Sequence, residues 1–126
     1  MTQAKILWRF DKIRRSMSTP AVQAGLVYFV DYSGFVYCLD AKTGKERWVH
    51  DTKGHIWGSP LVADGKVYVG NEDGYLTILP AKGEYDAKQV IEIEMTSPVL
   101  SSPIAANGVL YIGTHTHLFA FEEPKE

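Results

Sequence analysis

Hydrophobic and polar residues along this chain spell one short pattern, written three times. An apolar pair or triplet follows a proline. A glycine turn, a β-branched and aromatic run, a second turn and another apolar run come next. The first copy opens Ser18-Thr19-Pro20-Ala21-Val22, the second Gly58-Ser59-Pro60-Leu61-Val62, the third Ser101-Ser102-Pro103-Ile104-Ala105. Gly25, Gly65 and Gly108 follow in step, as do Tyr28, Tyr68 and Tyr111, at offsets of 40 and 43 residues. A period in this range marks stacked copies of one supersecondary unit.

Within each copy the pattern predicts strands. Ala24-Gly25, Asp64-Gly65 and Asn107-Gly108 carry the signal of a tight hairpin, because both central residues of a type I′ turn need positive φ. The runs that follow, Leu26 to Val30, Lys66 to Gly70 and Val109 to Gly113, are rich in residues that suit a pleated, buried surface. Third strands are expected at Phe35 to Leu39, Tyr75 to Leu79 and His117 to Phe121. In the first copy a polar turn, Asp40 to Lys45, leads to a fourth strand, Arg47 to His50. No stretch carries a period of 3.6 residues. The fold class is therefore all-β, with propeller blades of four antiparallel strands. The blades are expected at residues 18–52, 58–95 and 101–122, the last without its fourth strand.

Composition narrows the functional classes. The chain has 126 residues, 45% hydrophobic and 22% charged, which suits one ordered globular domain. A net charge of −2 with no basic face gives no electrostatic case for nucleic acid. One cysteine, Cys38, forms no internal disulfide. Apolar runs reach only about six residues, far short of a membrane span. The first ten residues lack an apolar core and a cleavage site, so no signal peptide is expected and the chain as written would stay in the cytoplasm.

One segment is more specific. Cys38-Leu39-Asp40-Ala41-Lys42-Thr43-Gly44-Lys45-Glu46-Arg47-Trp48 resembles the tryptophan-docking motif of the PQQ-like (quinoprotein-type) β-propeller repeat family. The resemblance implies that Asp40, Thr43 and Gly44 shape the closing turn of a blade and that Trp48 packs against the next. The second copy keeps only the frame, Leu79-Pro80-Ala81-Lys82-Gly83, gains three residues and has Ile91 in place of the tryptophan. Counting back 40 residues from Trp48 reaches Trp8, so residues 5–11 are expected as a fourth strand whose blade lies elsewhere. With the third copy lacking a fourth strand, the blades suggest a split, or velcro, closure. Either the chain continues a longer propeller, or several copies join head to tail, a six-bladed dimer being favoured over a nine-bladed trimer. Members of the family are often extracytoplasmic in bacteria.

The connections between blades and the turns between second and third strands share one face of a propeller. They gather Lys53 to Trp57, Asp31 to Ser33, Asn71 to Asp73 and His115 to His117. His115 and His117 read first as a polar turn that happens to hold two histidines; two residues apart on an extended strand they would point the same way, a spacing a metal site could use if His55, Glu72 or Asp73 joined them. Trp57 fits either a plug in the wedge between blades or an aromatic platform for a ligand, with Asp31 and Asp73 beside it on the possible ligand face. His50 is expected as packing or rim beside Trp48. Cys38 sits in an apolar strand and reads as inert.

Nothing resembles a nucleophile with its base, and no cofactor is expected. The function expected is a non-catalytic interaction scaffold that binds itself, a protein or peptide, or a polysaccharide. An alternative is a piece of a PQQ-dependent dehydrogenase, although that resemblance implies an adjacent cysteine pair that is absent here. A further alternative resembles the outer-membrane assembly lipoprotein of the same fold, and another is an excised or engineered fragment.

Overall fold

The computed structural model describes residues 4–122. Strands β1 (Ala21–Gln23), β2 (Leu26–Val30), β3 (Phe35–Asp40) and β4 (Glu46–Asp51) form the first blade. The second holds β5 (Leu61–Ala63), β6 (Lys66–Gly70), β7 (Tyr75–Pro80) and β8 (Ile91–Glu94), and the third β9 (Ile104–Ala106), β10 (Val109–Gly113) and β11 (Leu118–Glu122). All three sheets are antiparallel meanders with sequential neighbours paired. The three added residues of the second copy form a 3₁₀ turn at Ala87–Gln89, capped by the Asp86 carboxylate, which accepts the Lys88 N–H at 3.0 Å.

The first hairpin of each blade is the same object. Its two turn residues have φ of 51° and 79° at Ala24 and Gly25, 51° and 73° at Asp64 and Gly65, and 55° and 77° at Asn107 and Gly108. The second turn also repeats. The Gly34 N–H donates to the Asp31 carbonyl and Gly74 to Asn71, both at 3.1 Å.

Both faces of each blade are apolar, and the core lies between blades. Tyr28, Val30, Val36, Cys38 and Trp48 from blade 1 meet Val67, Val69 and Leu79 from blade 2, with Ile56 of the connection sealing the wedge. Tyr68, Leu76 and Ile78 on the other side of blade 2 meet Leu110 and Ile112 of blade 3, sealed by Val99. This is why Val67, Tyr68 and Val69 are buried in succession, with no polar alternation. Each aliphatic side chain so buried contributes roughly 1.5–3 kcal/mol.

Residues 5–11, expected as a fourth strand whose blade lies elsewhere, are irregular and pair with no strand among the described residues. A fourth strand needs a third strand beside it, and none lies there. The chain from Phe10 to Ser16 instead touches blade 1: Phe10 stands edge-on to Tyr37 at 5.3 Å, and the Ser16 hydroxyl donates to the Val30 carbonyl at 2.7 Å.

Side-chain rungs join the blades near the axis. The Thr19 N–H donates to Ser59 Oγ and the Ser59 N–H to Ser102 Oγ, both at 2.8 Å. The Ser18 hydroxyl adds a bond to the Gly58 carbonyl at 2.6 Å.

Ala24 holds a left-handed conformation that costs a residue with Cβ about 1–2 kcal/mol. Ala24→Asn is expected to raise stability by about 0.5–1 kcal/mol, since Asn tolerates this conformation. Urea unfolding checks it; an unchanged midpoint would rule the strain out.

Candidate functional site

The tightest cluster of functional groups lies where the β4–β5 connection meets the two second turns. Its centre is Tyr32. The His55 ring stacks on Tyr32 at 4.2 Å and 7°, Trp57 stands edge-on to it at 5.2 Å and 87°, and the Arg15 guanidinium lies 5.1 Å from its centroid. His55 Nδ1 is 2.9 Å from the Tyr32 carbonyl, and the Trp57 indole donates to Glu72 Oε1 at 2.9 Å. The main chain fixes the arrangement, since the Ile56 N–H donates to the Tyr32 carbonyl at 3.3 Å and Glu72 N–H to the His55 carbonyl at 2.7 Å. Beside it opens a groove of about 480 Å³ lined by Phe35, Asp51, Lys53, His55, Glu72 and Asp73 among others. Lys53 has φ of 64°, but so has its repeat equivalent Thr96 at 63°, so this backbone belongs to the blade connection and not to a special site.

Several expected site residues stand elsewhere. Asp31 is fully buried. Its carboxylate accepts the Tyr37 hydroxyl at 2.8 Å and the Phe35 N–H at 3.2 Å, which makes it the strut of a turn and removes it from the ligand face. Asn71, its repeat equivalent, accepts the Tyr75 N–H at 3.1 Å in the same way. Burial, then the Asp31 contact, raises the Tyr37 phenol above its ordinary range. Trp57 is exposed, and the wedge it could have plugged is filled by Ile56.

His115 and His117 lie in the turn ahead of β11, where strand alternation does not apply. Thr114 closes this turn by donating its N–H to the His117 carbonyl at 2.7 Å and accepting the His117 N–H on its hydroxyl at 3.1 Å. His117 Nδ1 is 2.7 Å from the Thr116 hydroxyl. Among the described residues, no three His, Cys, Asp or Glu side chains gather to hold a metal ion, and His55, His115 and His117 do not converge.

The docking motif is fully assembled. Asp40 Oδ1 accepts the Thr43 N–H at 3.0 Å and the Lys42 N–H at 2.9 Å, and these two bonds hold its carboxyl below the usual range. Gly44, at φ of 73°, lies under the Trp8 ring so closely that a Cβ would stand 2.5 Å from it. The Trp8 indole donates to the Ala41 carbonyl at 2.9 Å, and the Trp48 indole donates one blade further on to the Lys82 carbonyl at 2.7 Å.

The family model described as outer membrane protein assembly factor BamB matches residues 2–84. The chain belongs to this family of PQQ-type repeats. BamB of Yersinia pestis is 30% identical over 106 residues, covering 75% of this chain and 26% of the relative. The serine/threonine-protein kinase AfsK of Streptomyces griseus is 53% identical over 53 residues, 41% of this chain and 7% of the kinase. Among solved structures, BamB from Moraxella catarrhalis matches with a TM-score of 0.70 at 21% identity, over 85% of this chain and 33% of that one. A quinohemoprotein alcohol dehydrogenase from Pseudomonas putida HK5 matches with 0.74 at 24%, over 91% and 20%. Both structural likenesses show the shared propeller fold. This chain spans a minor share of each relative's length.

In this PQQ-type chain the long connection of blade 2 clasps the last strand of blade 1. Arg47 pairs with Glu84 at 3.3 Å, and Tyr85 brings its hydroxyl to 2.9 Å from His50 Nδ1 and its ring to 5.9 Å from Trp48. Sequence reasoning missed Tyr85; the insertion that follows it was the available signal. His50 Nε2 is buried with no hydrogen-bond partner among the described residues. Burial lowers the imidazole below its ordinary value, Glu92 and Asp51 pulling the other way. Burial also pushes the Cys38 thiol up to about 11, which leaves it protonated and unreactive at neutral pH.

Two outcomes follow from these buried groups. Asp31→Ala strands the Tyr37 hydroxyl and the Phe35 N–H and is expected to cost about 1–3 kcal/mol in urea unfolding. For His50 the folded state takes up its proton at lower pH than the unfolded chain does. Its contribution is complete above pH about 6.5 and declines as pH falls below that value. Wild type should lose more stability between neutral pH and about pH 5 than His50→Gln does; equal losses would clear His50 of the effect.

Proposed function

We propose that this chain is a non-catalytic PQQ-type propeller segment that acts by binding proteins, and that it completes its ring with a second copy of itself. One observation carries the reading. Val36 and Leu76 occupy the same repeat position and are 0% exposed under the next blade, whereas Leu118 at that position in blade 3 is 74% exposed. Ile104, at 59%, and half-buried Tyr111 extend this open apolar face. At the other end of the chain, Ile6 and Leu7 stand exposed beside Trp8, on a segment with no strand partner among the described residues. A head-to-tail pair places this segment along β11 of the partner and closes a six-bladed ring through heterologous contacts.

Two groups that could serve chemistry are otherwise engaged: Asp31 braces a turn and Cys38 stays protonated. Kinship with a family described by an outer membrane assembly factor supports a protein-binding role and an extracytoplasmic setting. A second reading has its own support, because the chain spans only 26% of the Yersinia pestis relative. In a longer propeller the face bearing Leu118 lies against a fourth blade of the same chain. The likeness to a quinohemoprotein dehydrogenase is a likeness of fold.

Light scattering on the purified chain decides between these states. The expected mass is twice that of one chain, with Leu118→Lys returning it to one. A wild-type monomer rules out the ring of two copies. Alcohol oxidation after adding PQQ and calcium would overturn the non-catalytic reading.

A further inference from the structure

Away from the open face of blade 3, the repeat sets an apolar side chain at one further position. Met17, Trp57 and Leu100 each stand three residues before Pro20, Pro60 and Pro103. All three are exposed, at 46%, 38% and 37%. The residues beside them are the ones that form the rungs: Ser18 and Thr19 bond to Gly58 and Ser59, and Ser59 to Ser102. The backbones carrying the three side chains therefore run side by side, one from each blade. A soluble chain gains nothing from keeping large apolar groups in water at one position of every repeat, and such a row marks an interaction surface.

Charge along the row is uneven. At the blade 2 end, the Trp57 indole is bonded to the Glu72 carboxylate, and Asp51 and Asp73 line the adjoining groove against the single ammonium of Lys53. On the blade 1 side, Arg15, two residues before Met17 in the chain, lies over Tyr32. Trp57 itself is held in place by Tyr32 and Glu72, so it offers a fixed ring at low entropic cost.

We infer that the row Met17, Trp57 and Leu100 is a docking surface for an extended peptide segment of a partner protein, with apolar anchors on the row and a lysine or arginine reaching the Glu72–Asp73 groove. Aromatic anchors in such surfaces carry most of the binding energy, while the carboxylates set orientation and exclude acidic guests.

The test uses a short synthetic peptide of alternating leucine and lysine, and its glutamate counterpart, titrated into the ¹⁵N-labelled chain. The Trp57 indole resonance is assigned by its loss in Trp57→Phe. The lysine peptide is expected to shift that resonance and the amides of residues 15–19, 55–59 and 99–102 in a saturable way. The glutamate peptide should leave them unmoved. Trp57→Ala should weaken binding at least ~10-fold, and Glu72→Gln with Asp73→Asn roughly 3–10-fold with loss of salt dependence. Because mapping on the wild type needs no variant, a misfolded substitution leaves the result readable. No saturable shift, equal binding of the two peptides, or shifts confined to Ile104, Tyr111 and Leu118 would overturn the proposal. Light scattering of the same samples reports ring closure separately, so failure of one reading is distinguishable from failure of the other.

Discussion

A four-stranded sheet with apolar side chains on both faces cannot stand alone in water. Each face must find a neighbour, and here the neighbour is the next copy of the same sheet. Tyr28, Val30, Val36 and Cys38 are buried only because Val67, Val69 and Leu79 arrive from blade 2. The second interface repeats the logic with Tyr68, Leu76 and Ile78 against Leu110 and Ile112. Each interface stabilises two blades at once, so the units are coupled to their nearest neighbours and to little else.

Between the sheets, orientation comes from directed polar contacts. An indole N–H reaches the carbonyl of a turn in the following blade, at Ala41 for Trp8 and at Lys82 for Trp48. Gly44 lets the ring lie flat on the backbone because it has no Cβ to hold it off. Blade 2 keeps the acceptor turn but has Ile91 where the next indole would stand, half exposed, so its grip on blade 3 rests on apolar packing and the Ser59–Ser102 rung. The clasp of Arg47–Glu84 and His50–Tyr85 has no counterpart between blades 2 and 3 among the described contacts.

Strand existence and order were legible because the evidence was local. Proline frames, turn dipeptides and β-branched runs act within a few residues, and they located the hairpins from Ala21 to Asp40 and from Leu61 to Pro80. The docking motif was equally legible, since its turn is built by Asp40 bonding to Lys42 and Thr43. What was less legible depended on contacts between distant segments. Residues 5–11 were expected as a fourth strand whose blade lies elsewhere, and no third strand lies beside them among the described residues. Asp31 was expected on the possible ligand face, and the Tyr37 hydroxyl it binds is six residues away on the facing strand. The aromatic cluster was half legible: Trp57 was singled out, but nothing in the sequence says that Tyr32 is the ring on which His55 and Trp57 converge.

The hydroxyl rungs beside Pro20, Pro60 and Pro103 have a consequence for how such a chain can change. Proline offers no N–H to a neighbouring strand, so the inner edges of adjacent blades meet through serine and threonine side chains and do not merge into one backbone ladder. Sheets that share no backbone pairing keep their own registers. A blade can then be duplicated or deleted as a unit of about forty residues without shifting the pairing of those on either side. The proline frame marks the joints at which such a change leaves every hairpin intact.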